Sequence, residues 1–369
     1  MYRQTDVFVV GGGPAGLAAA IAAAQRGFHV MVADGAEPPI DKPCGEGMMP
    51  ETRAALKDLG VDLPIGAGWS FRGVRFVHGE DQVAAEFPQG PGIGIRRPVL
   101  HGLLIEAAEK RGVKLLWKTA VTGINRQGVR LGNGFVPARW IIGADGGGSR
   151  IRKWAELEDK LRRTGRMAVR RHYRLKPWSE YMEIHWARCA QAYVTPIGGQ
   201  EVCVVVMGDQ GEEVTFERVL RELPSLAQRL DGAELGSRER GAVTVMHRLH
   251  RVARGNVGLV GDASGGVDAI TGEGLRLAFR QAAALADAIV NGDLTEYERT
   301  HAALQQRPSR MGKLMVELGR RESARARVMR AFGARPELFS RMLAIHLGLA
   351  NSREILAASA ELGWRLIAA

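Results

Sequence analysis

The chain is poor in cysteine, in aromatic residues and in long apolar runs. Its three cysteines, Cys44, Cys189 and Cys203, are odd in number and show no C-x-x-C spacing. That argues against a disulfide scaffold or a cysteine-rich zinc site and points to a reducing, cytoplasmic setting. Aromatics make up only 6% of the residues, and none alternates with basic residues as on nucleic-acid-binding faces. No apolar run reaches the roughly 18 residues that a membrane-spanning helix needs. No His/Asp/Glu cluster has metal-ligand spacing and G-x-S-x-G is absent, so no metal centre is expected. The opening MYRQTDVFVVGGG turns to glycine after four apolar residues, which reads as a buried strand and not as a signal peptide.

What is present describes an ordinary globular chain with an unusual charge. The 369 residues are 46% hydrophobic and 25% charged, enough for two domains with a real core. Glycine is abundant, at 47 residues, which implies many tight turns and close backbone approaches. Of the net +11, residues 307–369 carry +7, from 12 Lys/Arg against five Asp/Glu. The remaining chain is nearly balanced. This tail reads as helices, because Met311, Leu314, Met315 and Leu318, then Leu338, Met342, Ile345 and Leu349, recur at helical spacing. Two readings stand: basic helix faces solvated above a packed core, or a basic amphipathic surface peripheral to anionic membrane or an acidic carrier protein. Nucleic acid is not expected as a partner.

The chemistry begins at the N-terminus. Asp6–Val10 is a short apolar strand that stops at Gly11-Gly12-Gly13-Pro14-Ala15-Gly16. An alanine-rich helix follows from Leu17 to Arg26, then a strand from His29 to Ala33 that ends at Asp34. In this strand, G-x-G-x-x-G, helix, strand, acid order, Gly11 makes the tight turn, Gly13 lets backbone approach a pyrophosphate and Gly16 lets helix and strand pack closely. The helix N-terminus offers the phosphates free N–H groups and about half a positive charge. Asp34 can accept from both ribose hydroxyls, and its charge disfavours a 2′-phosphate, so the resident dinucleotide is not NADP. This loop alone leaves NAD and FAD both open.

Two later segments fit a flavin. Trp140–Arg152 reads WIIGADGGGSRIR, a strand running into Gly143-Ala144-Asp145-Gly146. Asn256–Asp262 reads NVGLVGD and continues to Thr271-Gly272-Glu273-Gly274 before an apolar helix from Leu275 to about Val290. A strand ending in Gly261-Asp262 puts a carboxylate at the carboxyl end of a sheet, where it can accept from a ribityl hydroxyl. The Gly272–Gly274 turn can aim N–H groups at a flavin's pyrimidine edge and favour the anionic reduced ring.

Together GGGPAG (11–16), IIGADGGGS (141–149) and GDASGGVDAITGEG (261–274) resemble the FAD-dependent aromatic hydroxylase superfamily, the class A flavin monooxygenases, with its geranylgeranyl reductase and halogenase relatives. The likeness spans about residues 1–300. Asp41-Lys42-Pro43-Cys44-Gly45-Glu46-Gly47 is similar to the K-P-C-G-x-G segment of the geranylgeranyl reductases, which by resemblance lies beside the flavin, with Cys44 and Gly45 against it. Arg96-Arg97-Pro98-Val99-Leu100 resembles the R-x-x-L helix opening whose arginine contacts FAD, here Arg97. Ala269 stands where the superfamily often has proline, W-x-W-x-I-P is absent, and Gln191–Pro196 keeps only the proline of the reductases' Y-x-W-x-F-P strand. With no second strand-linked G-x-G-x-x-G, NAD(P)H would bind transiently, or a partner protein would supply electrons.

The resemblance implies an α/β fold with an α+β insert: a Rossmann-like FAD domain (1–66, 95–160 and 255–300), an inserted antiparallel sheet for substrate (67–94 and 161–254) and a basic helical segment (301–369). Strands are expected at Phe71–His78, Arg166–Leu175, Tyr181–Trp186, Ala190–Pro196 and Glu201–Gly208. Period-two alternation puts Gln191, Tyr193 and Thr195 on one face as substrate residues, and Tyr181, Glu183 and His185 together on a face of their own strand. Cys44, Tyr193 and His185 are the catalytic candidates, with His172 a further acid/base group. The first reading is NAD(P)H-dependent hydroxylation of an aromatic or polyketide-like molecule through a flavin C4a-hydroperoxide. The alternatives are reduction of an isoprenoid-like C=C bond, favoured by the Cys44 segment, and a flavoprotein that only carries electrons.

Overall fold

The structure is a computed structural model that describes residues 4–368 except 133, 160–163, 189, 210, 212 and 213. Cys189 therefore lies outside the described residues.

The apolar run of Thr5–Val10 sits at the centre of a parallel sheet. Val30–Ala33 and then Lys114–Leu116 lie on one side of it, and Gly134–Gly143 and then Val257–Leu259 on the other. Val7, Phe8, Val9, Ile141 and Ile142 are all fully buried. Their runs are continuous instead of alternating because helices cover both faces of this sheet. The Pro14–Gln25 helix starts with proline at its first turn, where the missing N–H costs nothing. It packs against helices Arg97–Glu109 and Gly274–Asn291. The chain leaves the central strand toward neighbours on both sides, which makes a switch point at the carboxyl ends of the strands. The Gly11 turn, Asp34, Asp145 and Asp262 all follow those ends.

A second, nine-stranded sheet carries Arg240–Arg248, Thr164–Arg174, Glu201–Asp209, Ala190–Gly198, Tyr181–Trp186, Gly73–His78 and Asp81–Glu86 in that spatial order. It is antiparallel except where Tyr181–Trp186 runs parallel to Gly73–His78. The expected Phe71–His78 strand divides at Arg72, and Trp69–Phe71 joins Gly47–Met48 and Gly92–Gly94 in a separate three-stranded sheet. Asp81–Glu86, sequence DQVAAE, is a strand the pattern did not announce. Its alanines and acids have weak strand preference, and pairing with Gly73–His78 supplies what propensity does not.

The two faces of this sheet have different covers. Val194, Val204 and Val206 pack beneath Phe216, Val219 and Leu226 of two short helices. On the other face Phe76, Ile184, Trp186 and Met207 pack against Phe332, Phe339 and Leu343. Those three belong to helices Glu322–Ala334 and Pro336–Leu347, which follow the long Leu294–Arg320 helix and precede Ser352–Ala368. No helix among the described residues is long and apolar enough to cross a membrane.

Candidate active site

The glycine cradle is shaped for a dinucleotide. Gly11 has φ +110°, and a methyl group there would lie 2.4 Å from the Ala144 carbonyl oxygen. At Gly16 it would lie 1.8 Å from the Gly11 oxygen, whereas at Gly13 no protein atom comes within 4 Å. Gly11 and Gly16 thus serve chain packing, and Gly13 leaves open space for a ligand. Pro14 has no N–H, and the next two helix N–H groups, of Ala15 and Gly16, lack intrahelical acceptors. Asp34 accepts from the N–H of Gly12 at 2.7 Å and of Ala36 at 2.8 Å, which fixes its carboxylate beside the cradle with lone pairs to spare. Arg97 opens its helix, and its Nε is buried with no partner, as a group awaiting a ligand would be. Asp262 is exposed beyond Leu259, Gly272 is left-handed with φ +66°, and exposed Gly274 begins the helix. These residues fit FAD.

Asp145 also has a structural role. Both its oxygens are engaged by the chain, with Ser149 Oγ, the Arg150 N–H at 2.7 Å and the Ile151 N–H at 3.2 Å. It braces the first turn of the Arg150–Trp154 helix, whose N-cap is Ser149, and so shapes the cradle.

The second sheet clamps the two loops expected beside the flavin. Thr195 Oγ1 donates to the Gly45 carbonyl at 2.7 Å, and Cys203 Sγ lies 3.6 Å from the Cys44 carbonyl. Arg166 bonds Asp268 at 3.1 Å and Gln191 at 2.5 Å, and the Tyr193 hydroxyl donates to the same Gln191 oxygen at 3.3 Å. Asp268 in turn accepts from the Ile270 N–H at 2.9 Å. Gln191, Tyr193 and Thr195 do share a face, and it is the face that grips these loops. Burial pushes the Tyr193 phenol above its ordinary pKa, which keeps it a neutral donor. Cys44 is half-buried, with its Sγ 3.4 Å from the Glu46 N–H.

His185 is not brought to this site. It lies on the opposite face, 3.0 Å from Glu183, which also binds Trp178 at 3.0 Å and Arg75 at 3.1 Å. Period-two alternation groups residues by face but does not say which face meets the cofactor.

A buried polar cluster that sequence spacing did not reveal stands behind Cys44. Glu46 has φ +58° and accepts from the Arg97 N–H at 2.9 Å. Its other oxygen lies 2.8 Å from His172 Nε2, and His172 Nδ1 lies 2.6 Å from Ser237 Oγ. With Cys203 these form three potential ligand atoms within 4.8 Å of one another. Arg170, 3.4 Å from Glu46, already supplies the countercharge, and it also grips Asp41 at 2.8 and 2.9 Å. Burial opposes the Arg170 charge, but Asp41 and Glu46 outweigh it and raise the group's pKa. The cluster thus ties the 41–47 loop to the sheet.

Above the loops lies a cavity of about 310 Å³, within the usual range for ligand sites. Ile270 and Thr271 of the Asp268–Gly274 loop form part of its wall, and Phe76, Met182 and Ile184 form the sheet side. Met311, Leu314, Met315 and Leu318, the helical stripe read from the sequence, line it from the C-terminal helices. Gln191, Tyr193 and Thr195 are absent from its lining; residues one and two strands nearer the sheet edge take that place. His346 is a polar group of its lining beside Thr271. Its Nε2 lies 3.0 Å from the Thr271 carbonyl and its Nδ1 is buried without a partner. Burial lowers its pKa and keeps the ring neutral.

Behind the Gly261–Ser264 turn, His301 Nε2 lies 2.9 Å from Ser264 Oγ, and burial, then Arg248, lowers its pKa to about 4. An unfolded histidine titrates near 6.5, so between these values the unfolded chain binds more protons. Stability therefore falls as pH drops from about 6.5 to about 4 and levels below it, by up to about 3 kcal/mol. Urea unfolding across this range should show that slope, and His301→Gln should flatten it.

Comparison with known proteins places the chain. Residues 4–292 match the FAD binding domain model, and the chain belongs to that family of FAD-dependent oxidoreductases. Over 318 residues it is 28% identical to the menaquinone reductase of Mycobacterium tuberculosis, covering 79% of this chain and 78% of the relative. It is also 28% identical to digeranylgeranylglycerophospholipid reductase 1 of Methanothermobacter thermautotrophicus, covering 81% and 82%. The structure of a geranylgeranyl bacteriochlorophyll reductase-like protein from Thermoplasma acidophilum superposes with TM-score 0.77 at 20% identity, over 99% of this chain and 98% of the other. The same fold serves PqsL of Pseudomonas aeruginosa, a probable FAD-dependent monooxygenase, with TM-score 0.69 at 22% identity over 90% and 96%.

Proposed function

We propose that this protein reduces C=C bonds of isoprenoid-like lipids, using FAD and a transiently bound NAD(P)H as electron donor. The observation that carries this reading is the cavity, whose walls are almost wholly apolar from the Ile270–Thr271 loop to the C-terminal helices. Aromatic hydroxylation, the first reading of the sequence, would ask for polar partners to a phenol or carboxylate, and the wall offers Thr271, His346 and the exposed Glu317 and Arg321, which pair with each other. The names of two relatives, a menaquinone reductase and a digeranylgeranylglycerophospholipid reductase, agree.

FAD, held by Gly11, Gly13, Pro14, Ala15, Gly16, Asp34, Arg97, Gly261, Asp262, Gly272 and Gly274, would supply the hydride. On the division into an FAD body, a sheet insert and a helical tail, the first would hold the cofactor, the second would clamp its loops, and all three would contribute to the substrate wall. The sheet fixes the 41–47 and 268–274 loops through Arg170, Thr195 and Arg166. The methionines Met49, Met182, Met311, Met315 and Met342 give the wall flexible, polarizable surface for a long chain. Closing that wall excludes water from the reacting bond. Neutral His346 adds one polar group to the apolar wall, and Cys44 would lie near the bound flavin.

Enzyme reduced with dithionite without oxygen should regain its oxidised-flavin absorbance when a geranylgeranyl lipid is added. Recovery only on admitting air would refute the reading. Met315→Trp, which fills the cavity from the helix side, should raise KM about tenfold or more while FAD content stays unchanged.

A further inference from the structure

The helix Ser352–Ala368 has two apolar sides. Ala358, fully buried, lies on the inner one together with Leu362 and Leu366, which line the cavity. About 200° around the helix are Leu356 and Trp364, 73% and 72% exposed, with exposed Arg353 between them on the helical wheel. Leu314 also lines the cavity and is 54% exposed, so the cavity wall reaches the surface beside this helix. Arg310 and Lys313 flank Leu314 and are exposed. Neither they nor Arg353 makes an ion pair among the described residues. Elsewhere in the tail carboxylates do compensate cations: Arg321 pairs with Glu317, and Arg335, Arg341 and Arg365 with Glu361.

We propose that this face docks on an anionic bilayer, with Leu356 and Trp364 entering the interface and Arg310, Lys313 and Arg353 meeting lipid phosphates. A tryptophan and a leucine on the outer side of a helix, with an exposed arginine between them, match an interfacial helix. Charge selects bilayer over a second copy, since a two-fold contact would set the same unpaired cations against themselves. The docked geometry rests on the reductase reading for its purpose: an isoprenoid lipid passes between Leu314 and Leu362 into the cavity without crossing water. The same helix then serves as wall inside and anchor outside.

The test is sedimentation of the full FAD-loaded chain with vesicles of phosphatidylcholine alone and with phosphatidylglycerol added, at low and high salt. Binding should require phosphatidylglycerol, weaken with salt and fall about fivefold in Arg353→Gln. Leu356→Ser combined with Trp364→Ser should reduce binding about tenfold or more while FAD content and elution volume stay those of the parent. Equal binding to both vesicle types, or unchanged binding by the double variant, would overturn the proposal. A concentration-dependent dimer abolished by the same variant would assign the face to a second copy instead. Vesicle binding is read without turnover, so failure of the reductase reading leaves its result standing.

Discussion

Gly16→Ala should give a protein that holds no FAD and is less stable without it. The added methyl would lie 1.8 Å from the Gly11 carbonyl and 3.2 Å from Ala144 Cβ, the first in the tight turn and the second just after the neighbouring Gly134–Gly143 strand. Alanine improves helix propensity by up to about 1 kcal/mol, but a backbone clash of this size outweighs it, because the first strand and helix must separate. Gly13→Ala separates packing from binding. Its methyl would meet no protein atom within 4 Å, so the apoprotein should melt as the parent does. Its FAD affinity should nevertheless fall at least tenfold, because the methyl enters the space left for the pyrophosphate. Bound flavin per chain and the apoprotein melting temperature, measured together, check both variants.

Arg170→Met should destabilise the fold by about 3–5 kcal/mol, the usual cost of removing one partner from a buried ionic group. Arg170 is fully buried. Its loss leaves Asp41 without its paired hydrogen bonds and Glu46 without its nearest guanidinium. Arg170→Lys keeps the charge but loses the two-pronged grip, so it should recover only part of the stability. The 41–47 loop should loosen as well, seen as weaker FAD binding in whatever fraction remains folded. Urea unfolding at neutral pH gives the first number and flavin titration the second.

The cofactor loops were legible in the sequence because their demands are local. A left-handed turn at Gly11 and a close approach at Gly16 constrain single residue types, and their order along the chain marks the FAD body. The two faces of the Ala190–Gly198 and Tyr181–Trp186 strands were legible as groupings, yet their direction was not. Which face meets the cofactor depends on how the whole sheet docks, and His185 consequently went to the far side with Glu183. Asp145 carried the right spacing, and an acid before a short helix can brace its first turn as readily as meet a ligand. The cavity was hidden for another reason. Its wall draws on Met49, Phe76, Met182, Thr271, Met315 and His346, which only the fold brings together. One part of the wall did announce itself, in the spacing of Met311, Leu314, Met315 and Leu318. The scarcity of long apolar runs takes on a sharper meaning too, because the apolar surface is spread over several amphipathic helices instead of gathered in one span.

The central claim is reduction in place of oxygen insertion. The most direct measurement is the product mass after turnover of a geranylgeranyl lipid with reductant, in the presence and absence of oxygen. The account predicts a gain of two hydrogens in both. A product that gains one oxygen atom, and forms only when oxygen is present, would contradict it.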